Sequence, residues 1–244
     1  MTLGLLLLAV PIALATSTDE LTSHVTVLLV VAGATNVIGL GFEYRAFRLG
    51  KVGVVTAIAS TEGIVVALIS IAGGAHLSLG LFVLLLVITS GVAMAAAGRD
   101  RGDQDNTRLV VALSIPVALA FGVSLYTTGE IGASTSVLWT ILPARAVGTV
   151  AITLPLALRR ELKIERRVMP LVVAAATGEV LGFASYVWGS RSQLSIAAVL
   201  ASEYAALAAI GAYLVFHERL GPRQLVGLSI VAVGVGVLSA VRAT

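Results

Sequence analysis

The 244-residue chain is 58% hydrophobic and 12% charged, with a mean hydropathy of +1.02. Soluble domains carry about 25% charged residues, so a soluble globular domain is excluded and the chain reads as an all-α integral membrane protein. Its net charge of +3 resides in loops between apolar runs, where topology accounts for it without a nucleic-acid partner. Apolar stretches long enough to cross a bilayer as helices are expected at Thr2–Thr16, Val25–Phe47, Val52–Ile71, Leu77–Ala97, Leu109–Thr128, Ala133–Leu158, Val168–Gly189, Leu194–Phe216 and Gln224–Val241. That gives about nine transmembrane helices, with a polar linker near the midpoint. A barrel would instead show short alternating segments.

The loops decide the expected orientation. Arg45, Arg48 and Lys51, then Arg99, Arg101 and Arg108, then Arg159, Arg160, Lys163, Arg166 and Arg167, and last Arg219 and Arg223 lie on one side, 13 of the 16 basic residues. The positive-inside rule makes that side cytoplasmic and puts the C-terminus outside. Cysteine is absent, and His24, His76 and His217 lack metal-ligand spacing, so neither a metal nor another cofactor is expected.

The chain also repeats itself. Thr56-Ala-Ile-Ala-Ser-Thr-Glu62 is answered by Ala197-Ala-Val-Leu-Ala-Ser-Glu203, and the same shift lays Leu40-Gly41-Phe42 on Leu181-Gly182-Phe183. Leu85, Gly91 and Val92 match Leu228, Gly234 and Val235 at a nearby shift, and Gly4, Pro11 and Leu14 match Gly148, Pro155 and Leu158. The expected organisation is a first repeat over 1–97, a linker over 98–108 and a second repeat over 109–244. Met1 aligns with Arg145, inside a helix of the second repeat, so the first repeat is expected to lack its first helix and part of its second. A complete unit has five helices, an odd number, which makes the second unit inverted relative to the first, the five-plus-five plan of many secondary transporters.

An acid in the middle of an apolar helix costs about 2.5–3.5 kcal/mol on insertion scales and is a functional candidate by default. Glu62 and Glu203 sit beside hydroxyls (Ser60, Thr61, Ser202) and could accept a proton, an ammonium group or a cation; their other reading is packing through an interhelical hydrogen bond. Glu179 has no acidic counterpart in the first repeat, and Gly178 and Gly182 beside it are expected to admit a close neighbouring helix. Asn36 could supply an amide. Arg145 needs an anionic partner, with Glu179, Glu203 and a substrate carboxylate or phosphate as the alternatives. Tyr204 follows Glu203 and could stack on a substrate, whereas Tyr126, Trp139, Tyr186 and Trp188 read more simply as interface anchors.

Ala201-Ser202-Glu203-Tyr204, followed by His217-Glu218-Arg219-Leu220-Gly221-Pro222-Arg223-Gln224-Leu225-Val226-Gly227 and Val233-Gly234, resembles the closing two helices of EamA-like proteins of the drug/metabolite transporter superfamily. Tyr44-Arg45-Ala46-Phe47-Arg48-Leu49-Gly50-Lys51-Val52 resembles the corresponding link in their first half. The resemblance implies ten helices in two inverted repeats and export or exchange of a small-molecule substrate without ATP hydrolysis. The chain departs from the family pattern where a proline often follows the mid-helix glutamate, since Gly63 and Tyr204 stand there. Secondary transport by alternating access, with a proton or cation as coupling species, is the expectation, and a homodimer in a bacterial inner membrane is compatible with it. The alternatives are a membrane-embedded enzyme acting on a lipid-linked substrate and an inactive partner subunit.

Overall fold

The computed structural model describes residues 3–5, 22–49, 52–96, 107–160, 166–204, 206 and 221–243. Within them the chain is α-helical and contains no strand: α1 Ser23–Leu49, α2 Val52–Ala59, α3 Glu62–Ala72, α4 Leu79–Ala96, α5 Thr107–Ser134, α6 Val137–Gly148, α7 Leu154–Leu158, α8 Met169–Ser190, α9 Leu194–Ala201 and α10 Pro222–Ala243. A π-helical stretch, Thr149–Thr153, joins α6 to α7, and one 3₁₀ turn, Arg166–Val168, precedes α8. Among the described residues five segments are long and apolar enough to span a bilayer: Ser23–Leu49, Val54–Ala72, Arg108–Ser134, Val137–Leu158 and Met169–Ser190. The protein is an all-α membrane protein. Most of the expected first helix, the linker over 98–106 and the loop containing His217, Glu218 and Arg219 lie outside the described residues, as does Leu194–Phe216 beyond 206.

The chain divides into two compact units. The first comprises residues 1–38 and 123–194, the second 39–122 and 195–244, so each draws on both halves of the sequence.

In the first unit, α5 continues to Ser134 where the sequence suggested an end at Thr128, and α6 begins only at Val137. Gly129 and Gly132, in the stretch expected to separate the two helices, are packing residues. A Cβ on Gly129 would stand 2.0 Å from Leu194 Cδ1, and one on Gly132 would stand 2.6 Å from Val187 Cγ1. Glycine is retained there because only a bare backbone fits against the neighbouring side chains. The helix stops where other groups take its last carbonyls: Arg191 donates from Nε to Gly132 O at 2.8 Å and from an η nitrogen to Thr135 O at 3.1 Å. Ser136 then caps α6 by accepting from the Trp139 amide. Tyr186, read from the sequence as an interface anchor, is buried and donates to Leu125 O at 2.7 Å. Ser124 donates to Ala32 O at 2.9 Å and ties α5 to α1 within the same unit.

In the second unit, α4 and α10 pack along a seam of glycines. Gly91 faces Ile230, Gly234 faces Ile88, and a Cβ on Gly227 would lie 2.4 Å from the Ala95 amide nitrogen. Gln224 fastens the end of this seam, accepting from the Gly221 amide and donating to Ala95 O at 3.2 Å. Leu85 and Ile88 of α4 meet Ile196 and Val199 of α9 in a buried apolar cluster, and Val92, Ala95, Ala206 and Val231 form another. At the end of α3, Gly74 adopts φ +92°, the left-handed conformation that ends helices and that glycine enters without strain.

Candidate functional site

The single helix expected over Val52–Ile71 is interrupted. Helix α2 ends at Ala59, Ser60 and Thr61 form a turn, and Glu62 is the first residue of α3. The local chemistry accounts for the break. Ser60 Oγ donates to Ala57 O at 2.9 Å and Thr61 Oγ1 to Ile58 O at 2.7 Å, so both hydroxyls bond to carbonyls of the preceding turn. Short polar side chains compete with the helix ladder in this way. The backbone tightens to match, with the Thr61 amide bonding Ile58 O and the Ile64 amide bonding Thr61 O, both three residues back.

The second copy of the motif does the same. Helix α9 stops at Ala201, and Ser202 and Glu203 form a turn. Ser202 Oγ donates to Ala198 O at 2.8 Å, and the Glu203 amide bonds Leu200 O three residues back at 3.2 Å. A hydroxyl directly before a glutamate thus ends a run of α-helix twice, at equivalent places in the repeated sequence.

The two interruptions meet. A Cβ on Gly63 would lie 2.7 Å from Val199 Cα and 2.8 Å from Ser202 Oγ, so the start of α3 crosses the end of α9 at backbone contact distance. Gly122 of α5 closes on the other side, where a Cβ would stand 2.5 Å from Val65 Cβ and 3.1 Å from Glu62 O. Glu62 is 6% exposed and has no hydrogen-bond or ion-pair partner among the described residues. Glu203 is half-buried, with Oε1 fully enclosed and likewise unpartnered among them. Tyr204 follows at the rim of the crossing, and its hydroxyl lies within electrostatic reach of Glu62.

Glu43 of α1 was absent from the residues singled out in the sequence. Its carboxylate is within electrostatic reach of Glu62 and of the Tyr204 hydroxyl. It lies inside the helix expected over Val25–Phe47 and inside the observed α1, one residue before the basic link Tyr44–Val52. The signal available beforehand was its spacing of two helical turns from Asn36.

The remaining candidates belong to the first unit. Arg145 is fully buried and forms an ion pair through an η nitrogen with Glu179 Oε1, one of the expected alternatives. Its guanidinium also lies 5.1 Å from the centre of the Phe183 ring, a cation–π distance. Glu179 and Phe183 are four residues apart and therefore share one face of α8. The π-helical stretch begins four residues after Arg145, and π segments often accompany functional positions. Gly178 and Gly182 do not admit a close neighbour as expected: among the described residues nothing lies within 4 Å of a Cβ on either, because the face of α8 that meets Arg145 is the one bearing Glu179 and Phe183. Asn36 is 8% exposed, and its side-chain oxygen has no partner among the described residues.

A buried, unpartnered carboxylate at the crossing of two interrupted helices can hold a proton or a cation, or accept hydrogen bonds from a ligand. A comparison with curated proteins found no match. The family model described as the EamA-like transporter family matches residues 108–240, more than half of the chain, and the chain therefore belongs to that transporter family, within the drug/metabolite transporter superfamily.

Proposed function

We propose that the protein is a secondary active transporter that exports or exchanges a small metabolite or drug-like solute by alternating access, with a proton or cation as the coupling species. The observation that carries this reading is the crossing of two interrupted helices at Glu62-Gly63 and Ser202-Glu203, with acids that have no partner among the described residues. Discontinuous helices with polar groups at the break are the recurring binding device of secondary transporters. Matching interruptions in the two halves, and glycine contacts in α4 and α10 at corresponding sequence positions (Gly91 and Gly234), support two repeats of a five-plus-five plan. In this reading Glu62 and Glu203 take the coupling ion or a cationic group of the substrate and Tyr204 borders the same site, while the Arg145–Glu179 pair and Asn36 act as polar elements of the other unit. A bacterial inner membrane is the proposed location.

Uptake of a panel of labelled metabolites into proteoliposomes, with and without a pH gradient, tests the reading. Glu203→Gln should abolish gradient-driven flux of any solute the wild-type protein carries. Full gradient-driven flux in that variant would remove Glu203 from the coupling machinery.

A further inference from the structure

Two acids approach the crossing from the same membrane face. Glu43 precedes Leu49, the end of α1, by about 9 Å of helix rise, and Glu62 follows Val52, the start of α2, by about 15 Å. Only two residues separate Leu49 from Val52 in the sequence, so Glu43 lies nearer that face and Glu62 deeper. Packing brings the two together laterally. Gly39, one helical turn before Glu43 and on its face of α1, receives Phe121, with a Cβ there only 2.5 Å from the ring, and Gly122, the next residue, receives Val65 and the Glu62 carbonyl.

We propose that Glu43 is the outer carboxylate of a two-acid path along which a single positive charge reaches Glu62 from the membrane face that carries Arg45 and Arg48. The inference rests on the transporter reading for its purpose but not for its geometry. Glu62 is more than nine-tenths buried, has no partner among the described residues and lies within electrostatic reach of Glu43. The charged and titratable groups on the elements packed around it are few. Tyr44, Arg45 and Arg48 of α1 and Arg108 of α5 are exposed, His24 of α1 and Tyr126 and Glu130 of α5 belong to the other unit, α2 and α3 add none besides Glu62, and α9 and the described residues after it add Glu203 and Tyr204. The ion pair described in the molecule, Arg145–Glu179, belongs to the other unit. Two neighbouring carboxylates without a basic partner, as these are among the described residues, cannot both stay ionised in an apolar surround unless a positive charge joins them. The passenger is therefore a cation, in this proposal a proton or a small organic ammonium ion, and an anion is repelled twice along the way.

The chain has no cysteine, so single thiols can be placed without background. In sealed, oriented vesicles, Glu62→Cys should prefer a membrane-impermeant trimethylammonium thiosulfonate over the sulfonate reagent of similar size by at least about ten times the preference of a simple thiol, and only from the face bearing Arg45 and Arg48. Adding Glu43→Gln should bring that ratio down to the value for a simple thiol, whereas Glu43→Asp should preserve it. If Glu43→Gln lowers the yield of folded protein, the Glu43→Asp pair and the sidedness of labelling still decide. Tetramethylammonium at fixed pH, against equal sodium, identifies the passenger: slowed labelling assigns an organic cation, and unchanged labelling with the charge preference intact assigns the proton. No charge preference, a preference that survives Glu43→Gln, or equal labelling from both faces overturns the path. Absence of solute flux in the wild-type protein would sink the transporter reading and leave these thiol measurements standing.

Discussion

Gly63→Ala offers the sharpest test of the crossing. The added methyl would sit 2.7 Å from Val199 Cα and 2.9 Å from Val199 Cγ2, and backbone cannot rotate away as a flexible side chain can. Overpacking of this kind costs about 1–3 kcal/mol. Alanine also favours helix over glycine by up to about 1 kcal/mol, which works in the opposite direction. The expected net loss is about 1–2 kcal/mol, corresponding to a fall in Tm of about 3–6 °C for a chain of this size. Gly41→Ala is the matched control, since nothing among the described residues lies within 4 Å of a Cβ there, and it should leave Tm unchanged or raise it slightly. Thermal unfolding in detergent, followed by loss of the monodisperse peak in size-exclusion chromatography, reads both variants. A Gly63→Ala protein as stable as Gly41→Ala would refute the crossing, because the start of α3 would then have room that close backbone contact denies it.

Other consequences can be measured in the same way. Arg145→Met leaves Glu179 without its partner; breaking a buried pair costs about 3–5 kcal/mol, and the lower end applies because 37% of the Glu179 side chain is open. Adding Glu179→Leu should restore most of that stability, and a double variant no more stable than the single one would contradict the pairing. Arg191→Ala removes two charge-assisted bonds to the last carbonyls of α5 and should cost about 1.5–3 kcal/mol, with faster amide exchange over residues 129–136 detected by mass spectrometry. Tyr186→Phe removes the bond to Leu125 O and should cost about 1 kcal/mol in the same melting assay; no loss would argue that the carbonyl is satisfied without it.

Much of the architecture was legible from residue order alone. Apolar length and loop charge gave the helical membrane class, and the expected ends of the segments near Leu49, Ala96 and Ser190 lie within about two residues of the observed ones, as helix assignments usually do. The glycines were harder. Gly129 and Gly132 carry the same local signature as a turn, and only the positions of Leu194 and Val187 reveal that they make room for neighbouring side chains. The interruptions before Glu62 and Glu203 were invisible to hydropathy, since Ser and Thr inside an apolar run read as ordinary membrane helix, and bonding of their hydroxyls to preceding carbonyls was needed to see the break. Arg145 announced its need for an anion by burial cost alone, but the choice of Glu179 depends on tertiary packing. Glu43 escaped because its importance comes from the side-by-side packing of α1, α5 and α3.

The glycine seam joining α4 to α10 also bears on how the chain reaches its native state. Residues through Ala96 leave the ribosome long before Pro222 does, so α4 enters the bilayer with the groove around Gly91 open, and Ile230 and Gln224 reach it only after most of the remaining chain has been made. Contacts this distant in sequence form late and slowly. Until then the groove offers a bare backbone strip to any small-residue helix nearby, including that of another nascent chain. A pause in translation before Pro222 would lengthen that exposure, and enlarging Gly91 would damage assembly at its final step while leaving the earlier helices inserted.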